Sequence, residues 1–336
     1  MRIETLWTTK ASGGRISVPT HGSLAFLSDG SAINLETGAA AWKASLASPS
    51  VLPVALPDGG AAFIDSKRGC VRVDRAGVAA APEKLAVAGE MAASGPRASW
   101  VSEAVTLIDD DQSPPVFVEP LPKAKIVELV EAKSFELPPR LSPVMLFAAG
   151  AELVVMCDER VSAEEDPQPA SVIFSGGRVV LQRSKAETLA VDDGLALLSV
   201  PGETRTLVET ATGKARGEFP ASADNSDRFA LAGDVLISVN CVSGEVRRLN
   251  AKGEAQWTTP LSGFKKALWY LAPVVSAGVC WFVGQGGKLA ALDVTSGEEV
   301  SLPKGTPKFA PEASLFRVSD GVVILSGETL TRFRAA

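Results

Sequence analysis

The sequence predicts an all-β fold with the spacing of a β-propeller, and three observations support this prediction. Short apolar runs start at a Gly or Asp-Gly turn eight times, and their starts are 38, 36, 55, 43, 39, 44 and 43 residues apart. Most of these runs are followed by a tight turn and a second extended segment. The 30 glycines and 22 prolines are spread along the chain, and no long amphipathic helix pattern competes with frequent chain reversals. The runs are "SLAFLS" (23–28), "AAFID" (61–65), "RASWVS" (97–102), "ELVVMC" (152–157), "LALLSV" (195–200), "DVLISVN" (234–240), "GVCWFVG" (278–284) and "GVVILSG" (321–327).

Propeller blades repeat every ~40 to 45 residues. We therefore expect an eight-bladed β-propeller of four-stranded antiparallel blades, with seven blades as the alternative. The second predicted strand of most repeats ends on an acidic or amide residue, three or four positions before a glycine. A short polar side chain there can accept hydrogen bonds from backbone N–H groups, and the glycine can adopt a positive φ. The residues at this place are Asn34, Asp74, Glu209, Asn250 and Asp293.

A third predicted strand carries a tryptophan four residues after the glycine, in "GAAAW" (38–42) and "GEAQW" (253–257). The pattern A-x-D-x-x-[ST]-G-x-x-x-W resembles the repeat of pyrroloquinoline-quinone-type β-propellers, which are found in quinoprotein dehydrogenases and in the lipoprotein of the outer-membrane β-barrel assembly machinery. The resemblance is clearest at 30–46, 244–260 and 287–300. It implies a propeller in which Trp7, Trp42 and Trp257 pack between neighbouring blades. Since this fold hosts unrelated roles, it implies no single activity.

The two ends of the chain predict how the ring closes. The last segment, "GVVILSGETLTRFRAA", contains two strands and lacks a third, whereas "RIETLWTTK" at the start matches a third strand with nothing before it. We therefore expect the N-terminal strand to complete the last blade, which removes open sheet edges. The whole chain, 1–336, is predicted to be one domain with irregular insertions at about 109–143 and 158–171. For "KAKIVELVEAKSF" (123–135), strand and short helix both stay open.

The sequence offers few groups for catalysis. His21 is the only histidine, so a Ser-His-Asp or Cys-His site would have to use it, and its place beside a glycine favours an exposed turn. A quinoprotein dehydrogenase is expected to hold a metal through clustered carboxylates and amides, whereas the Asp and Asn residues here are explained by turns. We therefore expect a non-catalytic member of the resembled family, with no cofactor and no catalytic, cofactor-binding or metal-binding residues.

Three other patterns also have structural interpretations. "GQGG" (284–287) precedes the alternating "KLAALD", so it is predicted to be a hairpin turn and not a phosphate-binding loop. The acidic runs at 109–111, 164–166 and 192–193 are predicted to be solvated loop tips. The four cysteines form no CxxC pair, and each lies in an apolar stretch, which predicts buried free thiols in a reducing compartment. They are Cys70, Cys157, Cys241 and Cys280.

The net charge and the hydropathy of the chain indicate which classes of partner it is expected to bind. A net charge of −6 opposes nucleic-acid binding, which depends on clustered Lys and Arg. There is no run of about 18 apolar residues and no secretory signal pattern at the start, so we expect no membrane span and a cytoplasmic location. The predicted function is a protein-interaction scaffold with a protein partner, acting as a monomer or within a hetero-complex. A small-molecule or cofactor-binding module that uses the central channel is the first alternative, and an enzyme built from loop carboxylates is the second.

One aromatic stretch supplies the candidate interaction residues. Tryptophan, tyrosine and basic residues are enriched at binding hot spots, and they gather after Phe264. Burial in the seventh blade is the competing interpretation for the aromatic residues of 269–282, because alternate strand positions must face a core. The candidates are Lys265, Lys266, Trp269 and Tyr270.

Overall fold

The fold is known here from a computed structural model. It describes residues 1–11, 15–19, 22–48, 50, 52–56, 58–65, 69–84, 93–94, 98–101, 125–127, 134–149, 151–160, 166–192, 194–221, 226–261, 272–284, 286–310 and 313–336. All elements within these ranges are β-strands. The described part of the chain has no helix with the length and apolar character needed to cross a membrane.

The strands are short and follow one another closely, as the turn-rich sequence predicts. In chain order they are β1 (Ile3–Lys10), β2 (Ile16–Ser17), β3 (Leu24–Leu27), β4 (Ser31–Asn34), β5 (Ala40–Lys43), β6 (Leu52–Ala55), β7 (Ala61–Ile64), β8 (Gly69–Val73), β9 (Glu83–Lys84), β10 (Ala93–Ser94), β11 (Ala98–Val101), β12 (Lys125–Val127), β13 (Ser134–Glu136), β14 (Leu141–Ala149), β15 (Glu152–Glu159), β16 (Gln168–Ser175), β17 (Arg178–Ser184), β18 (Glu187–Asp192), β19 (Leu195–Val200), β20 (Thr204–Glu209), β21 (Ala215–Pro220), β22 (Asp227–Ala232), β23 (Val235–Asn240), β24 (Glu245–Leu249), β25 (Ala255–Pro260), β26 (Val274–Ser276), β27 (Val279–Val283), β28 (Leu289–Asp293), β29 (Ser314–Val318), β30 (Gly321–Ser326) and β31 (Thr329–Ala335).

These strands form antiparallel sheets of consecutive strands, which we number along the chain. Sheet 1 is β2–β5, sheet 2 is β6–β9, sheet 3 is β10–β13, sheet 4 is β14–β17, sheet 5 is β18–β21 and sheet 6 is β22–β25. Sheet 7 is β26–β28, and sheet 8 has the order β29-β30-β31-β1. The first strand of each sheet contacts the first strand of the next, from β2 through β29. The first strands therefore line the centre of a ring, and the last strands lie at its rim.

The ring closes as the sequence predicts. β1 pairs antiparallel with β31, from Ile3 opposite Ala335 to Lys10 opposite Thr329. Sheet 8 also packs against sheet 1 through one apolar cluster. The buried Arg332 of β31 donates a hydrogen bond to the carbonyl oxygen of Leu35 in sheet 1. The expectation that the N-terminal strand completes the last blade is confirmed.

The number of complete blades differs from the main expectation. Seven of the sheets have four strands each, and seven is the number of blades given as the alternative. The remaining one, sheet 7, has three strands in the described residues. The expectation of eight four-stranded blades is therefore wrong. Beside β28, Glu299 forms one isolated bridge with Leu292 and Val300 donates to the carbonyl oxygen of Ala291 at 2.8 Å. Pro303 follows soon after, and proline cannot donate to a ladder, so the pairing does not grow into a fourth strand.

Part of the predicted insertions is extended. Two strands, β12 and β13, lie within 109–143, and β14 begins at Leu141. The described residues of 123–135, where strand and helix had both stayed open, are thus strand. Within 158–171, β15 ends at Glu159 and β16 begins at Gln168. The rest of both segments lies outside the described residues or in short connections.

The core lies in the seams between neighbouring sheets. One buried cluster joins sheets 6 and 7, another joins sheets 7 and 8, and others join sheets 4 and 5 and sheets 5 and 6. Strand β19, with every residue buried, contributes to the last two. Apolar burial is the main favourable term in folding. Each of sheets 5 to 8 therefore packs against both of its neighbours, with sheet 8 packing against sheet 1, which explains why closure of the ring matters.

The three repeat tryptophans connect consecutive sheets. Each lies on the outermost strand of its sheet, and its indole Nε1 donates to a carbonyl oxygen in a turn of the next sheet. The same turn carries a positive-φ glycine against which the ring packs. The expectation that these rings lie between blades is confirmed. The bonds run from Trp7 to Leu35 (2.9 Å), from Trp42 to Arg75 (3.1 Å) and from Trp257 to Val294 (3.0 Å).

We expect Gly297→Ala to lower the free energy of unfolding by about 3 kcal/mol. Gly297 has a φ of 75°, and a Cβ atom there would lie 2.7 Å from the ring of Trp257. The substitution therefore adds overpacking, ~1–3 kcal/mol, to the ~1–2 kcal/mol cost of left-handed backbone. Urea denaturation followed by circular dichroism measures the loss.

Gly202→Ala is the matched control. Gly202 has a nearly identical φ of 74°, but a Cβ atom added there would meet nothing within 4 Å. Its cost is therefore that of the backbone alone, ~1–2 kcal/mol. Equal losses for the two variants would show that packing of Trp257 on the glycine contributes nothing.

Candidate functional site

The predicted interaction residues lie outside the described residues. Lys265, Lys266, Trp269 and Tyr270 fall within 262–271, in the connection from β25 at the rim of sheet 6 to β26 at the centre of sheet 7. The later part of the aromatic stretch is described. Trp281 is fully buried, and Phe282 is buried beside it in β27. For these two residues, burial within sheet 7 is confirmed.

The acidic and amide residues of the repeat turns are occupied by the turns themselves. Oδ1 of Asn34 accepts the N–H groups of residues 36 and 37, and Oδ1 of Asn250 accepts those of 252 and 254. Asp74 and Asp293 bind their own turns in the same way. The N–H of Ser296 is the main cause of a pKa of Asp293 below its usual value. These carboxylates and amides therefore act as turn acceptors, as predicted.

Glu209 departs from this pattern. Its carboxylate accepts a hydrogen bond from Nε of Arg216 at 3.0 Å and another from the hydroxyl of Thr212 at 3.2 Å. Its longer side chain thus reaches across the hairpin instead of binding the turn backbone. Gly213 keeps the positive φ that the turn requires, 69°.

The four cysteines are free and buried, as predicted. Burial raises the pKa of Cys70 to about 11 and that of Cys280 to about 12. Burial is also the main cause of the raised pKa values of Cys157 and Cys241. A thiol is nucleophilic only as the thiolate, so these side chains are packing groups and not reactive ones.

We expect none of the four thiols to react with a disulfide reagent within minutes in the folded protein at pH 8. The raised pKa values keep the thiols protonated, and burial blocks access. All four should react at once in denaturant, which serves as the control. A spectrophotometric thiol titration makes the comparison, and one fast-reacting thiol in the folded protein would contradict it.

The other chemical candidates are only partly described. His21, the acidic run 109–111, Glu164, Glu165 and Asp193 lie outside the described residues. In "GQGG", the N–H of Gly287 donates to the carbonyl oxygen of Gly284, and the N–H of Gly284 donates to that of Lys288. These bonds join β27 to β28, so the predicted hairpin turn is confirmed. In the described residues, no group of three or more His, Cys, Asp or Glu side chains is placed to hold a metal ion.

Asp192 is an acidic residue that contacts three different sheets. It ends β18, the innermost strand of sheet 5, and its side chain is only 14% exposed. Oδ1 forms an ion pair with Nη1 of Arg317, which lies on β29, the innermost strand of sheet 8. Oδ2 accepts the N–H of Gly233, in the β22–β23 hairpin of sheet 6, at 2.7 Å. The expectation of a solvated loop tip is wrong for Asp192, because both oxygens are bound by protein donors.

A second ion pair is buried between sheets 5 and 6. Nη1 of Arg205 lies 3.2 Å from Oδ2 of Asp227, and their side chains are 6% and 10% exposed. Asn240 donates to Oδ1 of the same carboxylate at 3.0 Å. The guanidinium carbon of Arg205 also lies 4.8 Å from the ring centroid of Phe229. The pair thus joins β20 to the first strand of the next sheet.

Sequence reasoning missed both ion pairs. The partners in the Asp192–Arg317 pair are 125 residues apart in the chain, and no local pattern links residues at such a separation. A weaker signal was present for the other pair, because Asp227 opens a strand, "DRFALA", whose last four residues are apolar. A charge placed there requires a partner, since a buried unpaired charge is costly.

Comparisons with known proteins identify the fold alone. No protein-family model matches the chain, and no curated protein matches it. Among solved structures, the chain is similar to BamB from Moraxella catarrhalis, with a TM-score of 0.63 and 12% identity, over 100% of this chain and 98% of that one. It is also similar to the computationally designed protein Ika8, with a TM-score of 0.61 and 10% identity, over 99% and 98% of the two chains. The chain is therefore a β-propeller similar in fold to BamB over its whole length.

Proposed function

We propose that this protein is a non-catalytic protein-interaction scaffold. The observation that carries the proposal is how the described polar side chains of the repeat are used. The turn acceptors bind their own backbone, and the cysteines are buried. Asp192 and Asp227 are held in ion pairs between sheets. These groups build the ring, so its accessible faces and rim are left for recognition.

Several further features belong to the same proposal. We regard the chain as one domain, because consecutive sheets contact one another and β1 pairs with β31. We also propose that it acts in the cytoplasm, as a monomer or within a hetero-complex. The likeness in fold to BamB supports the propeller arrangement on which the proposal rests.

The segment 262–271 is the proposed contact region. In the chain it stands between β25, the last strand of sheet 6, and β26, the first strand of sheet 7. Its sequence, "SGFKKALWYL", combines two lysines with a tryptophan and a tyrosine. Tryptophan and tyrosine are two of the residue types most enriched at binding hot spots.

A binding experiment with the full chain tests the proposal. The tagged protein is used to capture a partner from its native host, and the purified partner is titrated back by calorimetry. We expect saturable binding with a fixed stoichiometry. The variant Lys265→Glu/Lys266→Glu/Trp269→Ala/Tyr270→Ala should bind at least tenfold more weakly, since a hot-spot residue contributes ~2 kcal/mol or more.

The variant Lys214→Glu/Lys252→Glu is the control. Both lysines are exposed and lie in turns of sheets 5 and 6, so the change in net charge is the same without a change in the proposed contact region. If the control weakens binding as much as the quadruple variant, the proposed contact region is wrong. If the wild-type protein binds no protein saturably, the scaffold proposal fails.

A further inference from the structure

The Asp192–Arg317 ion pair joins two sheets that are not neighbours. Asp192 ends the innermost strand of sheet 5, and Arg317 lies one residue before the end of the innermost strand of sheet 8. Sheets 6 and 7 lie between them in the ring. Both residues precede the hairpin that joins the first and second strands of their sheets, so they lie on the same face of the ring.

The same carboxylate also contacts sheet 6. The N–H of Gly233, in the corresponding hairpin of that sheet, donates to its second oxygen at 2.7 Å. The side chains of Asp192 and Arg317 are 14% and 34% exposed, respectively, so the pair is partly shielded from solvent. Charged hydrogen bonds under such conditions are stronger than neutral ones. One carboxylate thus links sheets 5, 6 and 8 across three seams.

Sheet 7, which lies between sheets 6 and 8 in the ring, is the sheet with fewer than four strands. Sheet 7 has three strands in the described residues, with a single bridge where a fourth would pair. On the side of sheet 8, the hydroxyl of Ser276, at the end of β26, donates to the carbonyl oxygen of Val318, next to Arg317. Local opening is favoured where backbone hydrogen bonds are few, and the strands of sheet 7 pair over fewer residues than those of sheets 6 and 8.

We propose that the Asp192–Arg317 ion pair is a second closure of the ring, a strap that keeps the seams on both sides of sheet 7 shut. The first closure is the pairing of β1 with β31, which acts at the rim. The strap acts at the centre, on the opposite edge of the sheets. Widening the ring at the seam between sheets 6 and 7, or between sheets 7 and 8, moves sheet 8 away from sheet 5 and works against the ion pair.

Hydrogen exchange of the full chain, followed by mass spectrometry, tests the strap. Asp192→Asn removes the charge but keeps an oxygen that can accept the N–H of Gly233. We expect amides of β26–β28 to exchange about tenfold faster in this variant, which corresponds to the ~1.4 kcal/mol of one charged hydrogen bond. Amides of β14–β17, in sheet 4 outside the strap, should keep their wild-type rates. Arg317→Gln should give the same profile.

The double variant Asp192→Asn/Arg317→Gln shows whether the two residues act through their ion pair or affect hydrogen exchange independently of each other. If the residues act as a pair, its exchange rates in β26–β28 should match those of the single variants, because the interaction is already lost. Arg216→Ala, which removes an exposed ion pair within sheet 5, is the control and should change neither region. Three results would overturn the proposal. The first is equal acceleration of exchange in β14–β17 and β26–β28, and the second is a double variant whose acceleration is the product of the two single effects. The third is a wild-type exchange rate in β26–β28 of either single variant.

Discussion

Deletion of residues 1–10 is expected to lower the free energy of unfolding by more than about 4 kcal/mol. The deletion removes β1 and leaves β31 as an unpaired edge. It also removes the buried Ile3, whose truncation alone would cost ~2–5 kcal/mol, and the indole bond of Trp7 to sheet 1, ~1 kcal/mol. Because domains are stable by only ~5–15 kcal/mol, a loss of this size affects the whole ring. Urea denaturation followed by far-ultraviolet circular dichroism measures it.

Two comparisons make this result specific. Thr5→Ala changes an exposed side chain of β1 without removing the strand, so its effect should stay within about 0.5 kcal/mol. A synthetic peptide of residues 1–10, added in excess, should restore part of the lost stability to the truncated protein. A truncated protein that melts within a degree or two of the full chain would show that pairing of β1 with β31 does not hold the ring closed.

Asp227→Ala is expected to lower the free energy of unfolding by about 3–5 kcal/mol. The substitution leaves the guanidinium of Arg205 buried without its counter-ion, and this uncompensated charge is the physical cost. Urea denaturation followed by circular dichroism measures the loss. In the double variant Asp227→Leu/Arg205→Met, most of the lost free energy of unfolding should be recovered, since apolar residues can replace a buried pair at little cost.

Arg216→Ala provides the matched control for this prediction. Arg216 pairs with Glu209 in sheet 5 at 3.0 Å, but its side chain is 53% exposed. Exposed pairs contribute little, so the change should stay within about 0.5 kcal/mol. If Asp227→Ala costs no more than Arg216→Ala, the buried pair does not stabilise the seam between sheets 5 and 6.

Much of this fold could be predicted from local sequence. The run at 195–200 coincides with β19, which is buried along its whole length, and the run at 321–327 coincides with β30 to within one residue. Ring closure followed from the match of "RIETLWTTK", which contains Trp7, to the third strand that carries Trp257 in "GEAQW". Both outer strands place an indole against a glycine turn of the next sheet. The need to pack this ring between sheets explains why the two strands have similar sequences.

The predictions that were wrong concern features that depend on interactions between distant residues, which a repeat pattern does not encode. Within the part of the chain that the structure describes, sheet 7 has no fourth strand, because pairing beside β28 stops at a single bridge before Pro303, although the preceding "TSG" matches the other repeats. The role of Asp192 depends on an arginine three sheets away. The candidate contact residues at 265–270 stay predictions, since they lie outside the described residues.

The reciprocal hydrogen bonds between the first and last residues have a practical consequence. The N–H of Arg2 donates to the carbonyl oxygen of Ala336 at 3.0 Å, and the N–H of Ala336 donates back to the carbonyl oxygen of Arg2 at 2.8 Å. The N–H of Ala335 also donates to the carbonyl oxygen of Asp320, in the β29–β30 hairpin, at 2.9 Å. A tag, a label or a fused domain therefore emerges beside this hairpin, on the same face of the ring, whichever end carries it. Attachment to a sensor surface through either end should hold the molecule in one orientation and leave the opposite face open to a partner in solution.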